Sequence, residues 1–201
     1  VVRLTWTVSK RIWTRRGRGT WWLTRGISLK RCMSSELAQR IRERKDALLD
    51  EASELDAGRR GRVLTARVCG VRVVIKVLRE DVNIPAFTEN EGKYNEVANE
   101  VGVGPELYYY DADMVVREHV QGFRFGDWAR CQSLLDGQTK SVLCDVFDQC
   151  FRLDRRGLHR PELSRPKKDI LVSADGPVII DFERCRFDEQ PANVLGFAEC
   201  V

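Results

Sequence analysis

Apolar residues recur at helical spacing from Ser35 onward: Leu37, Ile41, Leu48, Ala52 and Leu55 fall three, four and seven apart, with Arg and Glu on the other face. This predicts a helix capped by Ser34 or Ser35 and stopped by Gly58. The period then changes to two. Arg62–Val68 and Val71–Leu78 read as the arms of a hairpin turned at Cys69-Gly70, the second arm (VRVVIKVL) passing from alternating to continuously apolar. A helix over Ala86–Glu100 ends at Gly102. Two strands, Pro105–Tyr110 and Met114–Val120, join through Asp111-Ala112-Asp113. Beyond Gly122, Asp136–Leu153 is an amphipathic helix with Val142, Leu143, Val146, Phe147 and Cys150 on one face. A polar loop, His159–Lys168, leads into strands Asp169–Val172 and Val178–Phe182, joined by the turn Ser173–Pro177. A strand-rich first half and a helix-plus-hairpin second half imply an α+β fold of two lobes around a cleft near residue 120.

Charge sets the first residues apart. Residues 1–35 carry nine Lys/Arg and no acid, whereas the rest carries 25 against 30, so the net +4 hides a mildly acidic body. The opening stretch also holds four of the five tryptophans. Residues 1–33 are therefore expected to lie outside the fold. Three readings stay open: a transit peptide, a basic aromatic arm able to stack on single-stranded nucleic acid through residues 1–31, or a translated stretch upstream of Met33. Nucleic acid is otherwise not an expected partner. Seven scattered cysteines without a CxxC pair, and only two histidines, argue against a zinc site. They favour free thiols in a reducing, intracellular compartment, cytoplasmic or organellar if residues 1–32 are a transit peptide. No run of 18 apolar residues exists, so no membrane partner is expected.

Four features carry candidate chemistry. Gly58-Arg59-Arg60-Gly61-Arg62-Val63 is a glycine-containing turn whose backbone amides can approach phosphate oxygens. In Val74-Ile75-Lys76 a lysine sits inside an apolar strand, where an unpaired ammonium is expensive and an anion should meet it. The helix 86–100 offers Glu89, Glu91, Glu96 and Glu100, most of which a solvated face accounts for. Ile179-Ile180-Asp181-Phe182-Glu183 places a carboxylate at a strand end, as a magnesium–phosphate site requires. Each is an ordinary feature by itself: a turn, a snorkelling lysine, an acidic surface, a strand end.

In this order, with the segment Met114–Gly122 and Leu158-His159-Arg160-Pro161-Glu162, the chain resembles the protein-kinase superfamily. It is most similar to the small predicted serine/threonine kinases of archaea that are akin to the RIO kinases. Val103-Gly104-Pro105-Glu106-Leu107-Tyr108, Pro161–Lys168, Asp181-Phe182-Glu183-Arg184 and Pro191-Ala192-Asn193-Val194 carry that likeness, which covers about residues 55–198. The resemblance implies a two-lobed protein-kinase-like fold over 34–201, with an N-lobe to about 120 and a reduced helical C-lobe from 121. It implies Mg-ATP as the ligand, and an unknown protein or small-molecule acceptor. Gly58, Gly61, Val63, Glu118 and Val120 would surround the nucleotide. Lys76 would bind phosphates and pair with Glu91, with Glu89 in reserve. Asp169 and Asp181 would hold the metal. Pro161 stands where active kinases have the proton-accepting aspartate, which leaves Glu162 as the nearest acid. Asp-Phe-Glu replaces Asp-Phe-Gly, and no Ala-Pro-Glu element occurs in the 20 residues after Asp181. A kinase-like phosphotransferase is the leading expectation, and a nucleotide-gated binding module without transfer is the alternative. Deleting residues 1–32 is expected to leave the melting temperature nearly unchanged, whereas a collapse in stability would put the tryptophans in the core.

Overall fold

The computed structural model describes the backbone from Gly26 and the side chains from Ser35, apart from Arg59, Glu80, Asn83, Pro85 and residues 133–136. The expectation for residues 1–25 lies outside the described residues.

Two helices, α1 (Gly26–Glu43) and α2 (Lys45–Glu51), precede a five-stranded antiparallel sheet of order β1-β2-β3-β5-β4. The central hairpin of β2 (Gly61–Val68) and β3 (Val71–Leu78) pairs residue for residue from Gly61↔Leu78 to Val68↔Val71. Its two-residue turn places both Cys69 and Gly70 at positive φ, the geometry that matches strand twist. Because side chains alternate along a strand, Val73 and Ile75 fall on the face that packs with Leu37, Ile41, Leu48, Met114 and Val116. Val74 and Lys76 take the opposite face, with Arg117 and Val115 as their register partners on β5 (Met114–Glu118). Helix α3 (Phe87–Glu100) leads to β4 (Leu107–Tyr110), the other edge of the sheet.

The second lobe begins after 119–121. Strand β6 (Gly122–Arg124) pairs with β8 (Ile170–Ser173), which pairs with β9 (Gly176–Ile179). Helices α4 (Phe125–Arg130) and α5 (Gly137–Arg155) pack on this small sheet, and α6 (Asn193–Ala198) packs on α5 and the turn Pro161–Ser164. Short strands β7 (Leu158–His159) and β10 (Arg186–Phe187) pair with each other as a separate two-stranded sheet. The lobe's core includes Val146, Leu153, Ile170, Ile179, Phe182 and Phe197, and extends to Ala98 and Val103 at the end of α3. Arg152 of α5 donates to the carbonyls of Val101 and Gly102, both at 2.8 Å, closing the C-terminus of α3. No helix among the described residues is long and apolar enough to cross a membrane.

Several expected boundaries move. The first helix begins at Gly26 rather than behind a Ser34 or Ser35 cap, breaks at Arg44 and ends at Glu51. The stretch Ser53–Ala57 is strand β1, every residue exposed, paired with β2 from Ser53↔Thr65 to Ala57↔Arg62. An antiparallel ladder offered by β2 outweighs the continuation of a helix whose further apolar residue, Leu55, stays half exposed. The glycine turn therefore joins two strands rather than a helix and a strand, with the Gly58 amide donating to the Gly61 carbonyl at 2.9 Å.

A charged staple holds the helical cap to the sheet. Lys45 reaches Asp111 at 2.8 Å and also Asp113, while Tyr109 donates its hydroxyl to Asp111. Burial alone would push the Asp111 carboxyl up, but Lys45, Tyr109 and the amides of Asp113 and Met114 together hold it down to about 2. A carboxyl held below its unfolded value stabilises the fold above that value and loses the contribution as pH falls through the folded one. Asp111→Asn should therefore reduce stability at neutral pH by roughly 1–2 kcal/mol and flatten the stability loss between about pH 4 and pH 2, read by denaturant titration.

Candidate active site

The site is organised by one buried cation. Lys76 stands on the cleft face of β3 with 6% of its surface exposed. Its Nζ lies 2.7 Å from Glu91 Oε2, 3.0 Å from Asp181 Oδ1 and 2.7 Å from Glu183 Oε2. Burial would drive the ammonium to give up its proton, but the attraction of the three carboxylates wins and the lysine is held firmly charged. Glu91 projects from α3, has no exposed surface, and shares its second oxygen with Arg117 Nη1 at 2.8 Å. A chain of alternating charges thus runs from β5 through α3 and β3 to the second lobe. Glu89, the reserve partner, is exposed.

The second lobe presents its acids on a constrained backbone. Asp181 adopts φ +69°, a left-handed conformation that costs a non-glycine residue about 1 kcal/mol or more. Arg160, only 1% exposed, holds it there: Nε donates to the Asp181 carbonyl at 2.7 Å and Nη2 to the Ile180 carbonyl at 2.6 Å. The Arg160 amide in turn donates to Asn193 Oδ1 at 2.7 Å. Phe182 is fully buried and lies against Gly104, where an added Cβ would come within 2.8 Å of the ring. Gly104 is at φ +84°, so both its backbone and its missing side chain suit this contact. Burial pushes the Asp181 carboxyl up, but Lys76, Arg160 and Arg117 bring it down to about 2. Asp169 shifts the other way. Burial raises it, Arg160 opposes with its Nη2 3.8 Å away, and Asp181, Glu162 and Glu183 add to the rise.

These groups face a cavity of about 920 Å³ between the lobes. Of the residues singled out from sequence, Gly58, Gly61, Val63, Lys76, Glu118, Val120, Glu162, Asp169 and Asp181 all line it, and Glu91 stands directly behind Lys76. Val63 and Val74 form its apolar roof, Leu171 and Ile180 its floor, and the backbone at 118–122 its rear edge. Glu162 sits in a 3₁₀ turn (Pro161–Ser164), its Oε1 3.1 Å from Arg184 Nε. Among the described residues, the trio of acids whose ligand oxygens fall within 4.8 Å of one another is Glu91, Asp181 and Glu183. Four residues at the site received no role from sequence: Arg117, Glu183, Arg160 and Arg60, the last 3.0 Å from Glu183 Oε1. Arg117 had a readable signal, because it is a charged residue directly following the apolar run Met114–Val116 in the same strand and invites the same argument as Lys76.

No family model and no curated protein sequence matches the chain. Solved structures do. A crystal structure of the Rio2 kinase from Chaetomium thermophilum superposes with a TM-score of 0.59 at 16% identity, over 80% of this chain and 58% of that one. A second, of the Rio2 kinase–ADP/Mg2+–phosphoaspartate complex from the same organism, gives 0.58 at 16% identity, over 81% and 56%. The fold is protein-kinase-like. The chain spans little more than half the length of these kinases, and at this identity the likeness speaks for architecture alone.

Proposed function

We propose that the cleft binds a nucleoside triphosphate, ATP in the first instance, and transfers its terminal phosphoryl group to a hydroxyl, that of a serine, a threonine or a small alcohol. The observation that carries this reading is the Lys76 ammonium, buried at the meeting point of both lobes and lining an apolar-roofed cavity beneath a glycine turn. An ammonium there suits phosphate oxygens, and the turn at Gly58 and Gly61 presents main chain to the cavity that a phosphate can approach. Val63 and Val74 above, with Leu171 and Ile180 below, suit a flat base, and the backbone of Glu118 to Val120 would meet its polar edge. The Rio2 complex with ADP and Mg2+ is consistent with this assignment.

Asp181 and Asp169 are the proposed holders of a magnesium ion. The fit rests on their chemistry: both offer hard carboxylate oxygens into the cavity, and Asp169, raised by burial with its nearest cation 3.8 Å away, is an anion short of a partner. Such an ion supplies charge neutralisation on the phosphates. Arg160 and Phe182 hold the Asp181 backbone so that its carboxylate stays aimed at the cavity. Glu162, one residue beyond the Pro161 that replaces the usual aspartate, is the proposed acceptor of the hydroxyl proton. The motifs Pro161–Lys168 and Asp181-Phe182-Glu183-Arg184 favour a serine/threonine kinase similar to the small archaeal ones.

A second reading, a nucleotide-gated binding module, is favoured by one observation. Glu162 is engaged by Arg184 and Pro161 cannot accept a proton, so binding and transfer are separable. Calorimetry with ATP should show binding that depends on Mg2+, weakened about tenfold or more in Asp181→Asn without loss of the fold. Glu162→Gln should spare binding and lower phosphoryl transfer by about 100-fold or more. Wild-type protein that binds no nucleotide with or without Mg2+ contradicts the proposal. Binding without any transfer leaves the binding module as the function.

A further inference from the structure

We infer that Glu183 is a built-in competitor for the polyphosphate subsite, and so determines how strongly the cleft prefers nucleoside polyphosphates to bare nucleosides. The inference rests on the nucleotide reading above and deepens it.

The Glu183 carboxylate bridges two cations from separate elements of the first lobe. Its Oε2 lies 2.7 Å from Lys76 on β3, and its Oε1 lies 3.0 Å from Arg60 in the glycine turn. The bridge resembles the way a phosphate spans a turn and a strand lysine: two oxygens of one anion, one on each cation. An incoming polyphosphate has to displace Glu183 from one or both. The same link also ties the roof of the cleft to its floor, because Glu183 belongs to the second lobe and Arg60 to the first.

Glu183 cannot simply retreat. Phe182, directly before it, is fully buried, and the carbonyl before that is held by Arg160. Relief therefore comes from rotation of the Glu183 side chain, which has solvent to enter since it is 15% exposed. Nor does Lys76 depend on it for neutralisation, because Glu91 and Asp181 remain at 2.7 and 3.0 Å. A carboxylate that the buried lysine does not need, spanning the two cations a phosphate would use, acts as an internal anion at high effective concentration. The apparent affinity for polyphosphate falls by the fraction of molecules with the bridge open.

A metal-ligand role for Glu183 makes the opposite prediction, since its oxygens lie within 4.8 Å of those of Asp181 and Glu91. Removing a competitor tightens binding, whereas removing a ligand weakens it. Calorimetry on the whole chain decides between them, using wild type, Glu183→Gln, Glu183→Ala and Arg60→Gln with ATP in EDTA, ATP with Mg2+, inorganic tripolyphosphate and adenosine. Both Glu183 variants should bind ATP and tripolyphosphate about tenfold tighter than wild type and adenosine equally well. Arg60→Gln should show no gain, because it opens the same bridge while removing a phosphate partner. Unchanged or weaker ATP binding in the Glu183 variants overturns the inference, as does an equal gain for adenosine, which would mean only a looser cleft. If neither wild type nor variants bind ATP, with or without Mg2+, the nucleotide reading fails and the competitor role with it. If wild type and variants bind adenosine alike and only the expected gain for polyphosphate is missing, the competitor role fails alone.

Discussion

A lysine placed inside a sheet governs this structure. Lys76 sits in a strand whose neighbours are Val74, Ile75 and Val77, and a buried ammonium without partners would cost several kcal/mol. Its neutralisation therefore dictates where other elements go. Helix α3 must bring Glu91 to the cleft face of the sheet, and the segment after β9 must bring Asp181 and Glu183 up from the other lobe. The partner acids come from both lobes, so satisfying one cation also closes the cleft. Arg60 to Glu183 and Arg124 to Asp56 add two further links across the same gap.

Rigidity beneath the cleft comes from neutral as well as charged contacts. Arg160 spends its guanidinium on main-chain carbonyls, Asn193 ties its amide to the end of α6, and Gly104 makes room for Phe182. The consequence is a strand end whose carboxylate direction is set by buried neighbours rather than by solvent. Lys76, Arg60, Glu91, Asp181 and Glu183 satisfy one another across the cleft. Any anionic ligand must compete with those internal pairs, so affinity reflects a difference between two well-paired states rather than the strength of one.

Much of this was legible because it followed from burial. The alternation in Val71–Leu78 put Lys76 on a face opposite Val73 and Ile75, and the apolar run ending at Asp181 marked a strand end at a cleft. The Ser53–Ala57 strand was not legible. Its residues are all exposed and continue a helical spacing through Ala52 and Leu55, and only the availability of β2 as a hydrogen-bonding edge decides its state. Glu183 was visible as a departure from Asp-Phe-Gly, but its role depends on Arg60 and Lys76, 123 and 107 residues away. Pairings of that kind are settled by the fold and leave no local pattern. The short strands β7 and β10 escaped notice for a simpler reason, since two residues cannot display a period.

The Lys76 cleft is where a nucleotide should sit. A crystal structure of the chain with Mg2+ and a non-hydrolysable ATP analogue is the most direct measurement. It should show the base between Val63, Val74, Leu171 and Ile180, and phosphate oxygens on Lys76 in place of Glu183. An analogue bound elsewhere on the surface, with Lys76 still held by Glu91, Asp181 and Glu183, would contradict it.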